Sequence, residues 1–302
     1  MLGPVEVRGA VRPFGRAASL ELVIYLALHP RGATTEEWAT ALWPERAMAP
    51  PTLHSTASAA RTALGRRADG GLHLPRRHGR LQLAGSVSTD WERVRRAASS
   101  ADPGDWLDAL RIVRGRPFEG LRSVDWTVLE GHVAEMEEQV VDLALRAGEH
   151  LLAPRPRPRP AAPFREDGAP FHEDTAAATA AQAARIGLRV SPYDERLYRL
   201  LLQAADRQGN PAGVERVMAE LVQLVAGTPP GPRDGRLPEA LVGAVHPQTA
   251  ALYRALSRRN GAAATAVRTD GLAAEEEQGD HSAEEGWAGP DRAAARGVLA
   301  RL

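Results

Sequence analysis

The chain has 302 residues, 43% of them hydrophobic and only 5% aromatic, and its formal net charge is zero. This length predicts two domains. The chain contains no cysteine, which excludes disulfides and thiolate metal sites. All 38 basic side chains are arginine, so a P-loop, a Schiff-base lysine and a Ser–Lys dyad are excluded as well.

The hydropathy of the chain and its N-terminal sequence indicate in which cellular compartment the protein is expected. No run of about 18 apolar residues occurs, which predicts that no helix spans a membrane. The first residues lack a basic region followed by an apolar core and a cleavage site, so we expect no signal peptide. These features and the absence of cysteine are compatible with a cytoplasmic protein.

The zero net charge conceals an asymmetry between the two parts of the chain. Residues 1–90 contain eleven arginines and seven acidic residues, a net charge of +4, and the remainder has a net charge of −4. Residues 46–80 contain seven arginines against Asp69 alone. Clustered positive charge of this kind is what affinity for a phosphate backbone requires.

The first elements in chain order are a strand and two helices. Leu2–Val7 is strand-like, and Ser19–Pro30 is a strongly apolar helix that ends at a proline. Thr34 then predicts an N-cap, with Glu37 three residues later completing a capping box. The helix that follows carries Trp38 and Leu42 on a face that we expect to enter the core.

A third helix is predicted to end at Leu64, and Pro50 and Pro51 lie where such a helix can begin. Leu53, Ala57, Ala60 and Leu64 fall on one apolar stripe, and Gly65 suits the position just past the end of the helix. The opposite face carries Ser55, Ser58, Ala59 and Thr62, flanked by His54 and Arg61.

Two short strand-like pieces, LHL and RLQL, follow around a basic loop at Pro75–Gly79. A strand, three helices and a hairpin make a winged helix–turn–helix, in which the third helix enters the DNA groove. The alternative is an ordinary surface helix with a solvated hairpin. The candidate DNA-binding residues are His54, Ser55, Ser58, Arg61, Thr62, Arg66, Arg67, Arg76, Arg77, His78 and Arg80.

The second half of the chain is predicted to be helical. Helices are expected at Asp105–Arg114, Val124–Leu152, Asp174–Val190, Tyr193–Gln208 and Pro211–Ala226. Helices of this length in antiparallel pairs are typical of a TPR-like array, although the TPR consensus is not met and an ordinary helical bundle is the alternative.

Two segments are predicted to be disordered. Residues 153–171 contain an alternating Pro/Arg tract, typical of an extended linker, a proline-rich ligand or a second electrostatic contact with DNA. Residues 259–302 read as an acidic tail of low hydrophobicity, in which Arg292–Leu302 could form a short helix.

No motif for catalysis is present. The nine histidines are scattered, and H-E-x-x-H, G-x-S-x-G and G-x-G-x-x-G are all missing. We therefore expect a non-enzymatic protein without a cofactor or a metal site.

Several runs resemble a known family. LGPVEVRG, LELVIYLALHP and TLHSTASAARTALG are similar to the winged helix of actinobacterial SARP-type activators. RGRPFEGL, SPYDERLYRLLL and HPQTAALYRAL, in this order, resemble their bacterial transcriptional activator domain (BTAD). The resemblance covers most of residues 1–258. It implies a DNA-binding activator whose helical domain dimerises or contacts a partner, with RNA polymerase as one candidate.

The chain departs from the family in its third helix. Many such activators carry Arg and Leu where this chain has Ala59 and Ala60, which leaves a readout face of small hydroxyl groups. Weak base discrimination is then expected, and a scaffold protein whose winged helix no longer binds DNA is the alternative function.

The sequence thus predicts a mainly α-helical protein with three parts. Residues 1–90 are a winged helix–turn–helix, residues 91–258 a TPR-like BTAD, and residues 259–302 a tail. The predicted function is transcriptional regulation through double-stranded DNA.

Overall fold

The computed structural model describes residues 1–121, 125–154, 172–227 and 237–278. Within these ranges the chain is mainly α-helical. Its elements are α1 (Ala17–Leu28), α2 (Thr35–Leu42), α3 (Pro50–Leu64), β1 (Arg76–Arg77), β2 (Arg80–Leu81), α4 (Asp90–Ala98), α5 (Pro103–Arg111), α6 (Asp125–Leu129), α7 (His132–Leu152), α8 (His172–Val190), α9 (Glu195–Arg207), α10 (Pro211–Ala226), α11 (Glu239–Val242) and α12 (Pro247–Gln278).

The first three helices and the hairpin form the predicted winged-helix arrangement. The capping box is present, because Thr34 Oγ1 accepts the Glu37 N–H at 3.2 Å and Glu37 Oε2 accepts the Thr34 N–H at 2.8 Å. Helix α3 begins at Pro50 and ends before Gly65, whose φ of 74° favours glycine. The local signals therefore placed both helices correctly.

The core of this region lies beneath α3. Trp38 is 1% exposed and supplies the largest side chain, as the sequence predicted. It shares this core with residues from α1, α2, α3, the hairpin and the segment before the hairpin, namely Leu22, Leu26, Leu42, Ala57, Ala60, Leu64, Leu74 and Leu81. These side chains cover the inner face of α3, whereas His54, Ser58 and Thr62 on its outer face are exposed.

The predicted N-terminal strand is wrong. Of Leu2–Val7, only Leu2 is paired, in an isolated antiparallel bridge with Pro117. The next residues end the pairing, since Gly3 has a φ of 120° and Pro4 has no N–H to donate. Leu2 is nevertheless fully buried, and the backbone N–H of Arg114 donates to its carbonyl at 2.8 Å.

The helix predicted over Val124–Leu152 is two helices. Helix α6 ends at Leu129 and α7 begins at His132, because Gly131 adopts the left-handed conformation with a φ of 79°. Leu129 lies at helical spacing from Trp126 and Val133, which predicts a core position for a single continuous helix, yet it is 83% exposed. The break brings Glu130 and His132 to the surface at the junction.

Helices α7 to α10 form a TPR-like array in which consecutive helices pack on one another. Two glycines permit close approach at these contacts. A Cβ built on Gly148 of α7 would lie 2.2 Å from Cδ2 of Leu200 on α9, and one built on Gly187 of α8 would lie 2.7 Å from Cδ1 of Leu197.

Two compact units divide the chain, residues 1–256 and residues 257–302. Within the first unit, contacts cross the predicted domain boundary at residue 90. Arg114 Nη2 donates to the Pro4 carbonyl at 2.9 Å, and the rings of Tyr25 and Trp126 lie 5.0 Å apart edge to face. The boundary itself stays a prediction.

The segments predicted to be disordered lie mostly outside the described residues. This holds for 155–171 of the Pro/Arg insert and for 279–302 of the tail. Residues 259–278, which the sequence assigned to the tail, are instead helical and form the C-terminal part of α12.

Candidate nucleic-acid interface

The outer face of α3 is polar and open. His54, Ser58 and Thr62 are exposed, while Ala57, Ala60 and Leu64 are buried, which confirms the predicted phase of the helix. Leu53, the fourth member of the predicted stripe, is half-buried, and Thr56 and Ala63 join the buried face.

One edge of this face is covered by the segment before α1. The backbone N–H groups of Val11 and Arg12 both donate to the Ala63 carbonyl, at 2.9 and 3.3 Å. Arg16 Nη1 donates to Ser55 Oγ at 2.8 Å, and that hydroxyl donates to the Thr52 carbonyl. Ser55, predicted to face DNA, is therefore half-buried with its hydroxyl already engaged.

The wing is a short hairpin with a tight turn. Arg77 pairs with Arg80 across the hairpin, and His78 and Gly79 connect them with φ values of 48° and 80°. Positive φ at both central residues is typical of a type I′ turn. The strands lie at Arg76–Arg77 and Arg80–Leu81, so two of the arginines expected in the loop lie in β1. Arg77 and His78 are exposed at the tip of the wing.

Arg80 fixes the wing to the first turn of α2. Its Nη2 donates to Glu37 Oε2 at 2.7 Å and to the Gly32 carbonyl at 2.9 Å. Hydrogen bonds from the Thr34 backbone and from Arg80 hold the pKa of Glu37 below its usual value. The guanidinium of Arg80 is thus bound within the protein, although the sequence predicted a phosphate contact.

Arg61 has a similar structural partner. Its Nε donates to the carbonyl of Leu74 at 3.0 Å, which joins α3 to the segment leading into the wing. Its side chain is half-buried, so less of it faces solvent than the sequence implied.

Arg66 and Arg67 lie in the turn after α3. Arg66 is exposed and donates from Nη1 to the Gly70 carbonyl at 2.7 Å. Arg67 forms an ion pair with Asp69 at 2.8 Å, and its Nε is buried without a hydrogen-bond partner among the described residues. Both side chains keep further N–H donors, since a guanidinium carries five.

A groove of about 350 Å³ separates α2, α3 and the wing. Thr35 and Trp38 line it from α2, His54 and Arg61 from α3, and Arg76 from the wing. Arg76 Nη2 donates to Thr35 Oγ1 at 2.7 Å, so this guanidinium lies across one side of the groove.

The structure adds Arg12 and Arg16 to the predicted basic surface. Both are exposed, and both belong to the segment that lies along α3. Their charge was visible in the sequence, but no local pattern indicated that this segment packs along α3. Arg77 remains the candidate contact with an exposed guanidinium and no partner among the described residues.

No family model matches the chain, and no curated protein matches it either. Among solved structures it is similar to Mycobacterium tuberculosis EmbR, determined in complex with a low-affinity phosphopeptide. The two share 18% sequence identity over 88% of this chain and 69% of that chain, with a TM-score of 0.48.

Within the described ranges, no helix combines the length and the apolar character needed to cross a bilayer.

Proposed function

We propose that the protein is a non-enzymatic, SARP-type transcriptional regulator that binds duplex DNA through α3 and the wing. The observation that carries the proposal is the open polar face of α3, with His54, Ser58 and Thr62 exposed beside a wing whose tip presents Arg77 and His78. In winged helix–turn–helix proteins the corresponding helix lies in the major groove.

The chemistry of this face favours binding through phosphates over base readout. Serine and threonine hydroxyls donate and accept equally, so they distinguish bases poorly. A bidentate Arg–guanine or Asn–adenine pair contributes about 1–3 kcal/mol of discrimination, and the exposed face of α3 offers no such side chain. Affinity should therefore come mainly from Arg16, Arg66, Arg76 and Arg77 and fall steeply with salt.

The helical segment, which contains α7 to α10, is proposed to make contacts with other proteins. Its TPR-like packing leaves apolar side chains at the surface, including Tyr193 at 67% and Val225 at 44% exposure. A second copy of the chain and RNA polymerase are the partners consistent with a transcriptional activator.

The alternative function is a protein-interaction scaffold in which the winged helix only supports the fold. The observation that favours it is the number of candidate cations with partners inside the protein, above all Arg61, Arg67 and Arg80. A scaffold of this kind would not bind duplex DNA even at low ionic strength.

Fluorescence anisotropy with a labelled duplex separates the two functions. The full chain is titrated over a series of KCl concentrations, together with an Arg76→Ala/Arg77→Ala variant. The matched control is Arg189→Ala/Arg216→Ala, which removes the same charge from exposed arginines of α8 and α10.

Each phosphate contact contributes about 0.9 to the slope of log K against log salt, so the wing variant should flatten that slope by about 1.8. The control should keep the slope of the wild-type chain. Absence of binding at low salt, or equal slopes in both variants, would support the scaffold.

A further inference from the structure

The break between α6 and α7 creates a cluster of metal-ligand side chains that includes none of the candidate DNA-binding residues. Glu130 lies in the break, His132 is the first residue of α7, and His29 follows the last residue of α1. Glu130 Oε2 lies 3.3 Å from His29 Nε2 and 3.1 Å from His132 Nε2. One ligand atom from each of the three residues lies within 4.8 Å of the other two.

The orientation of His29 is fixed by its other ring nitrogen. Nδ1 lies 2.7 Å from the Tyr25 carbonyl, and the imidazole stacks on the Tyr25 ring with a centroid distance of 4.0 Å. Because a carbonyl can only accept, Nδ1 must carry the proton. Histidine ligands of metals are typically oriented by such a bond from the non-ligating nitrogen.

This assignment has a consequence at Nε2. In neutral His29 that nitrogen presents a lone pair, and it faces the carboxylate of Glu130 at 3.3 Å. Two facing lone pairs repel, and a metal cation bound by all three side chains would remove that repulsion.

We infer that His29, Glu130 and His132 bind a divalent transition metal of the zinc class. Zinc is bound by imidazole nitrogen and carboxylate oxygen at about 2.0–2.2 Å, and in a tetrahedron such bonds place neighbouring ligand atoms about 3.3 Å apart. The two distances to Glu130 Oε2 are already close to this value.

The surroundings also suit an ion that enters from solvent. The side chains of His29, Glu130 and His132 are 29%, 36% and 19% exposed, which leaves room for water as a fourth ligand. Tyr25 and Trp126 close the inner side, since both are buried and their rings pack edge to face. An apolar wall of this kind lowers the local dielectric and strengthens binding to charged ligands.

The site would join two parts of the first compact unit that are distant in sequence. His29 belongs to the winged-helix region, whereas Glu130 and His132 belong to the helical segment. A bound ion would therefore stabilise the folded chain, because the unfolded chain does not hold the three ligands together.

The test is a Co²⁺ titration of the full chain, freshly stripped of metal and carrying no histidine tag. Four-coordinate Co²⁺ gives visible absorption bands that report its geometry. We expect one Co²⁺ per chain, displacement by Zn²⁺, and a rise in the melting temperature when Zn²⁺ is added.

The variants are Glu130→Gln and His132→Gln, and the matched control is His150→Gln. His150 is also on α7 and its ring contacts that of Trp106, 6.1 Å away. Loss of an outer partner typically weakens metal binding 10- to 100-fold, so loss of a ligand should weaken it by about 100-fold or more. His150→Gln should bind as the wild-type chain does.

Circular dichroism of each variant shows whether it is folded. Because two independent ligand variants are used, one that misfolds still leaves the other to decide. The proposal is overturned if the chain takes up no Co²⁺, if both ligand variants bind it as the wild type does, or if ¹⁵N chemical shifts show an imidazolium at His29 in the presence of excess Zn²⁺.

Discussion

Arg77 and Arg80 face each other across the wing hairpin, and they should behave differently when each is changed to alanine. Arg80 donates to the Gly32 carbonyl and to Glu37, whereas Arg77 is exposed and has no partner among the described residues. The two residues have the same side chain and lie in the same hairpin. They therefore form a matched pair that separates a structural role from a role in DNA binding.

The magnitude for Arg80→Ala follows from its two acceptors. A hydrogen bond contributes about 0.5–1.5 kcal/mol, and more when one partner is charged. Partial exposure of the ion pair, 38% for Arg80 and 46% for Glu37, reduces this value. We expect Arg80→Ala to lower the free energy of unfolding by about 1–2 kcal/mol. For a unit of this size, that lowers the melting temperature by about 2–8 °C.

Arg77→Ala should have the opposite profile. Its stability should stay within about 0.5 kcal/mol of the wild-type chain, as for other surface substitutions. Its affinity for duplex DNA should fall, with a salt slope flatter by about 0.9. Urea denaturation and fluorescence anisotropy measure the two quantities. Equal losses of stability in both variants would refute the structural role that we assign to Arg80.

Three further predictions concern other parts of the fold. Gly148→Val should lower the free energy of unfolding by about 1–3 kcal/mol, because the added Cβ overlaps the buried Leu200 side chain. An unchanged urea denaturation curve would mean that α7 and α9 are further apart. Ala59→Arg should raise DNA affinity with little effect on stability, since Ala59 is half-buried at the edge of the open face of α3. If the free energy of unfolding fell by more than about 2 kcal/mol, Ala59 would be a core position. Because the folded-state pKa of Glu37 is lowered, its contribution to stability is present above the usual carboxyl range and lost as pH falls through the folded value. Glu37→Gln should therefore flatten the acid limb of a pH–stability curve, and an unaltered limb would contradict this.

Local sequence signals were sufficient for the helices of the winged-helix region. A capping box, a proline start and a glycine end act within one helical turn, so Thr34, Pro50 and Gly65 defined α2 and α3 without knowledge of the fold. The phase of α3 followed from the same short-range periodicity.

Features that depend on long-range contacts could not be predicted in this way. Leu2–Val7 alternates like a strand, yet a strand needs a partner, and Leu2 pairs only with Pro117. The periodicity of Val124–Leu152 continued through Gly131, so it concealed the break. The partners of Arg80 lie more than 40 residues away, and its charge alone gave no indication of them.

The candidate metal site shows the same limit more clearly. Glu130 and His132 are two residues apart, which is not a ligand spacing on one helix face, and His29 lies in another part of the chain. The scattered histidines predicted no metal site, and only the fold brings the three side chains together.

The most direct test of DNA binding uses the absence of cysteine from the chain. Ser58→Cys introduces a single thiol at the centre of the exposed face of α3, and Gln203→Cys introduces one at an exposed position of α9 as a control. The rate of alkylation by a maleimide is measured at low salt with and without duplex DNA. If α3 lies against DNA, the duplex slows the reaction of the Ser58→Cys thiol severalfold and leaves the Gln203→Cys thiol unaffected. Equal rates with and without DNA in the Ser58→Cys variant, at DNA concentrations that saturate the wild-type chain, would contradict the proposed binding surface.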